Sequence, residues 1–408
     1  MVYDVLVVGG GPAGSTCARF LTRGGARVAL VDRADFPRVK LCGGWLSTPI
    51  WDVLELAPTD YSGGLWRWQT CHVRYGGVNH AVACRGFFIR RYEFDDFLLR
   101  RSGADLNLGI SVQEIERDSD GLWAVGPLRA RHLVGAAGTH CPVARRHAPP
   151  RAFGPVGVQE HEFRADPAAI ARTRLGQDGE PELLLHDDLG GYSWNVPKSD
   201  WLNVGAGTAD PGRVRAAWQD ARAYFSGSGH LPAESAAELE PKAMKGHAYY
   251  LFDPAHLDGA VRLGEGGQGG SFLVGDSLGL AQPLTAEGIL PAVISGRVLA
   301  EAILAGAPET YPARLAAHPI IDDYRRIYDL RQAVVAAGRR VTGSLASSVA
   351  GSIGRTGAAA RLGHRAIATG FAWMFSGARL PAPRLVDLAL AVARRWTGPP
   401  HDQPRRAA

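Results

Sequence analysis

Gly9, Gly11 and Gly14 form a G-x-G-x-x-G turn directly after the apolar run Val5-Leu6-Val7-Val8 and directly before a helical pattern. Turns of this kind bring backbone N–H groups against a pyrophosphate, and the helix that follows adds the positive end of its dipole. Asp32 stands eighteen residues after Gly14, at the end of a second apolar run, Val28–Val31. An acid there accepts hydrogen bonds from ribose hydroxyls. Strand, turn, helix, strand and acid together point to a dinucleotide site formed by Gly9, Gly11, Ala13, Gly14, Asp32 and the adjoining Arg33.

A second cluster narrows the dinucleotide to FAD. Phe272-Leu-Val-Gly275-Asp276-Ser-Leu-Gly279 leads into Pro283-Leu-Thr-Ala-Glu287-Gly288-Ile289 and another helical pattern. A strand that ends in Gly275-Asp276 sets a carboxylate at its C-terminal edge, within reach of a ribityl chain. The helix that begins beyond Thr285 aims N–H groups outward, where they could stabilise negative charge on a reduced flavin ring. Glu287, Gly288 and Ile289 are the candidate ring-edge residues.

These residues need an α/β scaffold to hold them. Residues 2–33 read as strand, glycine turn, helix and strand. Residues 87–101 carry a helical run after a short strand, and 105–135 read as short strands ending in the buried run Leu133–Gly135. Alternation over 155–210 predicts a sheet, and 265–305 return to strand, turn and helix. Nucleotide signals at both ends of a sheet-rich middle predict a Rossmann-type FAD-binding domain with an inserted antiparallel-sheet substrate domain and a C-terminal helical region. The expected boundaries are 1–145 for the first part of the FAD domain (with an excursion into the substrate domain near 46–85), 146–262 for the substrate sheet and 263–310 for the second FAD part. Residues 311–396 are then helical and 397–408 a disordered tail. Ser226–Ala237 is rich in Ser, Gly and Ala and reads as a linker.

Composition limits the remaining possibilities. Hydrophobic residues make up 46% of the 408 residues, enough for a large core. Apolar runs are interrupted before a membrane span is reached, and the N-terminus has no basic leader, so a cytoplasmic protein is expected. The five cysteines, Cys17, Cys42, Cys71, Cys84 and Cys141, are odd in number and contain no C-x-x-C pair, which argues against zinc or a disulfide framework. From Arg331 onward there are twelve arginines against two acids, net +10, although the whole chain carries only +5. That end, with Ala366–Phe375 between Arg365 and Arg379, could meet an anionic membrane peripherally or lie as solvated and buried helix faces. Leu385, Leu388, Ala389, Val392 and Trp396 also keep helical spacing. No nucleic-acid motif accompanies the charge, so nucleic acid is not an expected partner.

Over residues 1–310 the chain resembles the geranylgeranyl reductase family, within the flavoproteins of para-hydroxybenzoate hydroxylase-like fold. The resemblance rests on Gly9–Gly14, Phe36-Pro-Arg38-Val-Lys40-Leu-Cys42-Gly43-Gly44, Arg91-Tyr-Glu-Phe94-Asp95, Gly191-Tyr192-Ser-Trp194-Asn-Val-Pro197-Lys198 and Gly275–Gly288, in that order. It implies that Lys40, Cys42 and Gly43 pass beside the flavin and that Arg91 lies near the FAD. It also implies that Tyr192 and Trp194 face the active-site cavity. Two positions depart from the family. Ala137 stands where many relatives carry Asp, and Trp45 is bulky after C-G-G.

The resemblance implies reduction of C=C bonds in a prenyl or other apolar substrate by hydride from reduced flavin. Cys42, Tyr192 and Trp194 would be the catalytic set, and Cys42 the candidate proton donor. NAD(P)H or reduced ferredoxin would supply the electrons. The alternative is a flavin-dependent monooxygenase or halogenase: Tyr192-x-Trp194-x-Val196-Pro197 resembles the halogenase W-x-W-x-I-P segment with its first Trp replaced. A non-catalytic flavoprotein is the third possibility.

Overall fold

The computed structural model describes residues 1–147, 154–173, 179–240, 245–264, 269–341 and 358–377. Two eight-stranded sheets organise them. In the first, Val2–Val8 lies parallel between Val28–Val31 and Leu128–Gly135. Asp105–Asn107 extends the sheet on one side and Gly270–Leu273 on the other, also parallel. Val5–Val8 and Val28–Val31 are buried on both faces, which explains their unbroken apolar sequence. Helices Pro12–Arg23 and Ile289–Leu304 lie against one another across this sheet.

The second sheet is mostly antiparallel, in the order Lys245–Tyr249, Val156–Arg164, Trp201–Thr208, Gly191–Lys198, Glu182–Leu185, Trp66–Tyr75, Val78–Phe88 and Trp45–Leu46. Its one parallel pairing joins Glu182–Leu185 to Trp66–Tyr75. The excursion expected near 46–85 therefore supplies three of the eight strands of this sheet. Val261–Leu263 pairs with Gly270–Leu273 in the first sheet, so the chain returns to the cofactor layer before residue 262, just after the Lys245–Tyr249 strand.

Ser226–Ala237 is not an open linker. Helix Val214–Gly227 occupies its start, and Leu231 and Ser235 are buried. His230 is buried against Glu182 at 2.5 Å, and the Tyr224 hydroxyl donates to the same carboxylate at 2.6 Å. The partners for this segment come from a strand some forty residues earlier, which local composition does not reveal.

Helix Ala358–Phe375 lies over the Trp66–Tyr75 and Val78–Phe88 hairpin. Ala368, Ala372 and Phe375 form its buried stripe, and Ile367 is exposed. Leu385–Trp396 and the 397–408 tail fall outside the described residues. No helix among the described residues is long and apolar enough to cross a membrane.

Candidate active site

A cavity of about 660 Å³ opens between the two sheets. Gly9, Gly11, Pro12 and Ala13 line one end, beside Asp32, Arg33 and Ala34. Gly9 holds φ at +115°, and a Cβ there would lie 2.5 Å from the Ala136 backbone, so only glycine fits. A Cβ on Gly11 would meet only Arg38 Nη2, at 3.6 Å, and would point into the cavity. The Gly10 N–H donates to Asp32 Oδ2 at 2.7 Å and the Ala34 N–H to Oδ1 at 2.9 Å. These bonds fix the carboxylate at the rim. Glycine turn, helix N-terminus and oriented acid make a cradle that fits the pyrophosphate and ribose of FAD.

Gly14 and Gly275, both expected at the cofactor, lie behind the cavity wall instead. A Cβ on Gly14 would come within 1.9 Å of the Gly9 carbonyl oxygen, and one on Gly275 within 3.0 Å of Ala13 Cβ. Their work is to let the wall close up. Asp276, Glu287, Gly288 and Ile289 do line the cavity, and Gly288 and Ile289 head the second buried helix.

Arg91 also lines the cavity, with its guanidinium clamped one turn on by Asp95 at 2.6 and 2.7 Å. Burial works against that charge, but Asp95 and a hydrogen bond with the Cys42 side chain outweigh it. Lys40 Nζ donates to His247 Nε2 at 2.8 Å. Burial, with Lys40 beside it, pushes the imidazole down to about 3, so it is neutral and accepts. Burial likewise lowers the Lys40 ammonium.

Beyond these groups the wall becomes aromatic. The Tyr192 hydroxyl donates to the Thr285 carbonyl at 2.6 Å, which ties the substrate sheet to the turn before Glu287. Trp194 Nε1 donates to Asn203 Oδ1 at 2.7 Å. Its ring lies so close over Gly205 that a Cβ there would sit 2.2 Å from it. Trp45 packs at 4.4 Å against Phe375, the rings tilted by 42°, and the Phe375 carbonyl accepts from Trp45 Nε1 at 3.0 Å. The bulky Trp45 thus anchors the end of the covering helix. Gly44, at φ +73°, has Ile89 O where a Cβ would be, only 1.9 Å away, so this turn can close only on glycine.

Cys42 stands where the cradle meets the aromatic wall. The Gly44 N–H donates to its sulfur at 3.3 Å. Burial pushes the Tyr192 phenol far up, with Cys42, Glu287 and Glu160 adding to it, so Tyr192 is a poor proton donor. Burial also raises Glu287 to about 7, partly offset by the Ser47 hydroxyl at 2.7 Å and the Leu290 N–H.

Glu160, His247, Tyr249 and Phe375 line the cavity without any signal in sequence. Glu160 and Glu162 share one strand face, and only their cross-strand neighbours distinguish them. Glu162 meets Lys198 at 2.7 Å and Arg90 at 3.1 Å, whereas Glu160 has no ion pair among the described residues.

Comparison with known proteins agrees with this geometry. An FAD binding domain family matches residues 2–55. A menaquinone reductase of Mycolicibacterium smegmatis is 28% identical over 339 residues, covering 76% of this chain and 78% of that protein. A geranylgeranyl diphosphate reductase of Rhodobacter capsulatus is 27% identical over 347 residues, covering 77% and 78%. A flavin-dependent brominase of known structure shares the fold at a TM-score of 0.64 and 17% identity, over 97% of this chain and 100% of its own. Family match, relatives and fold converge: the chain is an FAD-dependent oxidoreductase similar to the geranylgeranyl reductases.

Proposed function

We propose that this protein reduces C=C bonds in a prenyl chain or similar apolar substrate. One observation carries the reading: a single cavity runs from the glycine cradle, past Cys42, to a wall of Tyr192, Trp194, Trp45 and Phe375. A dinucleotide cradle that opens onto an aromatic, mostly buried surface suits a long apolar substrate delivered to the flavin ring. Bound and reduced, FAD supplies hydride to one alkene carbon.

The protein's own groups do the rest. Gly9–Ala13, Asp32 and Asp276 hold the cofactor. Trp194, fixed through Asn203, and Tyr192, fixed through Thr285, shape the wall that orients the alkene. The Cys42 thiol gives a proton to the second carbon, with Arg91 beside it to stabilise the sulfur as the proton leaves. A reduced nicotinamide, by one hydride, or reduced ferredoxin, by two one-electron transfers, would supply the two electrons that each turnover consumes. The named activities of the two relatives, on menaquinone and geranylgeranyl diphosphate, support a prenyl substrate.

The brominase fold supports a second reading, oxygen-dependent chemistry, which one experiment separates from the first. The reduced protein is mixed either with air-saturated buffer or, without oxygen, with geranylgeranyl diphosphate or a menaquinone, and flavin absorbance is followed. Slow reoxidation in air, fast reoxidation by one prenyl compound and a product heavier by two hydrogens are expected. Fast reoxidation in air with no response to either prenyl compound would overturn the reductase reading in favour of oxygen chemistry.

A further inference from the structure

Glu160 is a strand residue turned into a largely apolar cavity, a place for valine or leucine. It is 2% exposed, and its Oε2 has no hydrogen-bond partner among the described residues. Its strand neighbours across the sheet are Gly205 on one side and Lys245 on the other, and Lys245 is exposed. A Cβ on Gly205 would touch both the Trp194 ring and Glu160 Cβ, so carboxylate and indole stand side by side at the aromatic wall. The Cys42 backbone N–H reaches the carboxyl, and both residues line the same cavity. An isolated buried carboxylate is costly, and a buried carboxyl normally survives only if paired or neutral. Neutrality below about pH 7 is the outcome here. Burial pushes Glu160 up to about 7, with Glu162 adding to the rise, while Lys198, the Cys42 N–H and Lys40 partly oppose it. Lys198 is already engaged by Glu162 and Lys40 by His247. Tyr192 and Tyr249 face the same group, and both phenols are pushed up by burial.

We infer that Glu160 is the proton reservoir of the site, returning to the Cys42 thiolate the proton that the thiol gives to the substrate. The inference rests on the reductase reading and adds a residue to it. The balance per turnover is one hydride from reduced flavin and one proton from the thiol, which together saturate one C=C bond. The S–H bond that breaks is re-formed at the expense of the Glu160 O–H bond. The carboxylate regains its proton from solvent that enters once product has left. Because Glu160 acts through Cys42, it is a positioning and proton-supplying residue whose signature is a pH dependence.

The test compares FAD-loaded wild type, Glu160→Gln and Glu160→Asp. Infrared difference titration of wild type should show a protonated-carboxyl band that disappears as pH rises through about 7, and the band should be absent from Glu160→Gln. Iodoacetamide labelling of Cys42, located by mass spectrometry, needs no substrate. Its pH curve should carry a step near that same pH in wild type and Glu160→Asp and lose it in Glu160→Gln. Prenyl reduction under anaerobic conditions should fall as pH rises through about 7 in wild type. In Glu160→Gln it should be at least roughly tenfold slower and flat with pH. Identical labelling curves in wild type and Glu160→Gln, or a carboxylate ionised across the whole range, would overturn the inference. Loss of all prenyl turnover with the labelling step intact would instead remove the reductase reading and leave the coupling of Glu160 to Cys42 standing.

Discussion

At the scale of single residues, the site depends on groups whose charge the protein sets by burial. Cys42→Ala should fold and hold FAD but reduce a prenyl substrate at least roughly tenfold more slowly, about 1.4 kcal/mol in the barrier. Cys17→Ala, on the buried face of the first helix, should keep wild-type rate. Equal rates for Cys42→Ala and wild type would make Cys42 a shaping residue. Glu287 offers a separate check through stability. Its folded pKa, about 7, lies above the ordinary carboxyl value near 4.3, so the folded chain holds this proton more tightly than the unfolded chain. Stability from this group is therefore greatest below about pH 4 and is lost as pH rises through the window up to about 7. The thermal midpoint of Glu287→Gln should gain on wild type between pH 5 and pH 8, and a constant difference across that range would refute the buried charge. How far such residues can be read from sequence differs with the chemistry. Asp32 and Gly11 sit in a local pattern whose spacing is the signal. Glu160 has no such pattern, because its isolation depends on which strands happen to bring Lys198 and Arg90 to Glu162 instead.

Among the elements, the contact between the two buried helices sets the cofactor end. A Cβ on Gly296 would lie 2.4 Å from the Ala13 carbonyl oxygen and 3.1 Å from the Cys17 nitrogen. Both helix N-termini reach the cavity, so separating the helices moves both sets of N–H groups. Gly296→Val should weaken FAD binding at least roughly tenfold, about 1.4 kcal/mol, measured by flavin fluorescence titration of apoprotein. An unchanged affinity would show that the helices adjust without moving their ends. The strands of the first sheet were legible because a fully buried parallel strand leaves an uninterrupted apolar run, as Val5–Val8 does. Over 155–210 the substrate sheet was legible strand by strand through its alternation, but its other strands and its order were not. Nothing local to Glu182–Leu185 says that it runs parallel to Trp66–Tyr75. The same blindness made Ser226–Ala237 look like a linker: its His230 is held by Glu182, far away in sequence.

For the molecule as a whole, the cavity belongs to neither sheet alone, and the helix Ala358–Phe375 closes its aromatic end. Phe375 is 3% exposed and touches Trp45 and Tyr192. Phe375→Ala should lower stability by about 3–5 kcal/mol if the site does not collapse. It should also raise KM for a prenyl substrate and leave FAD content unchanged. FAD loss with unaltered KM would mean that the helix serves the cofactor rather than the substrate. The Arg-rich end had two readings in sequence, a membrane-facing and a packed helix. The buried stripe of Ala368, Ala372 and Phe375 gives the packed side a definite partner, while the outward side carries Arg365 and Ile367.

The cofactor cradle is assembled from the beginning of the chain and from residues near 288, and this has a consequence for how the protein is made. A ribosome completes Gly14 long before Gly288. At about 5–20 residues per second the gap is roughly 14 to 55 seconds. During that interval the nascent Rossmann unit lacks its outer parallel strand, Gly270–Leu273, and the helix that covers Ala13 and Cys17. The intervening substrate sheet emerges in full before the first sheet can be finished. A flavin held by both segments would bind only after residue 288 of the 408 had been synthesised, and would then tie together the segments that translation held apart for longest. Cells short of riboflavin should accumulate chains whose substrate sheet is intact while the edge of the first sheet stays open to proteases and chaperones.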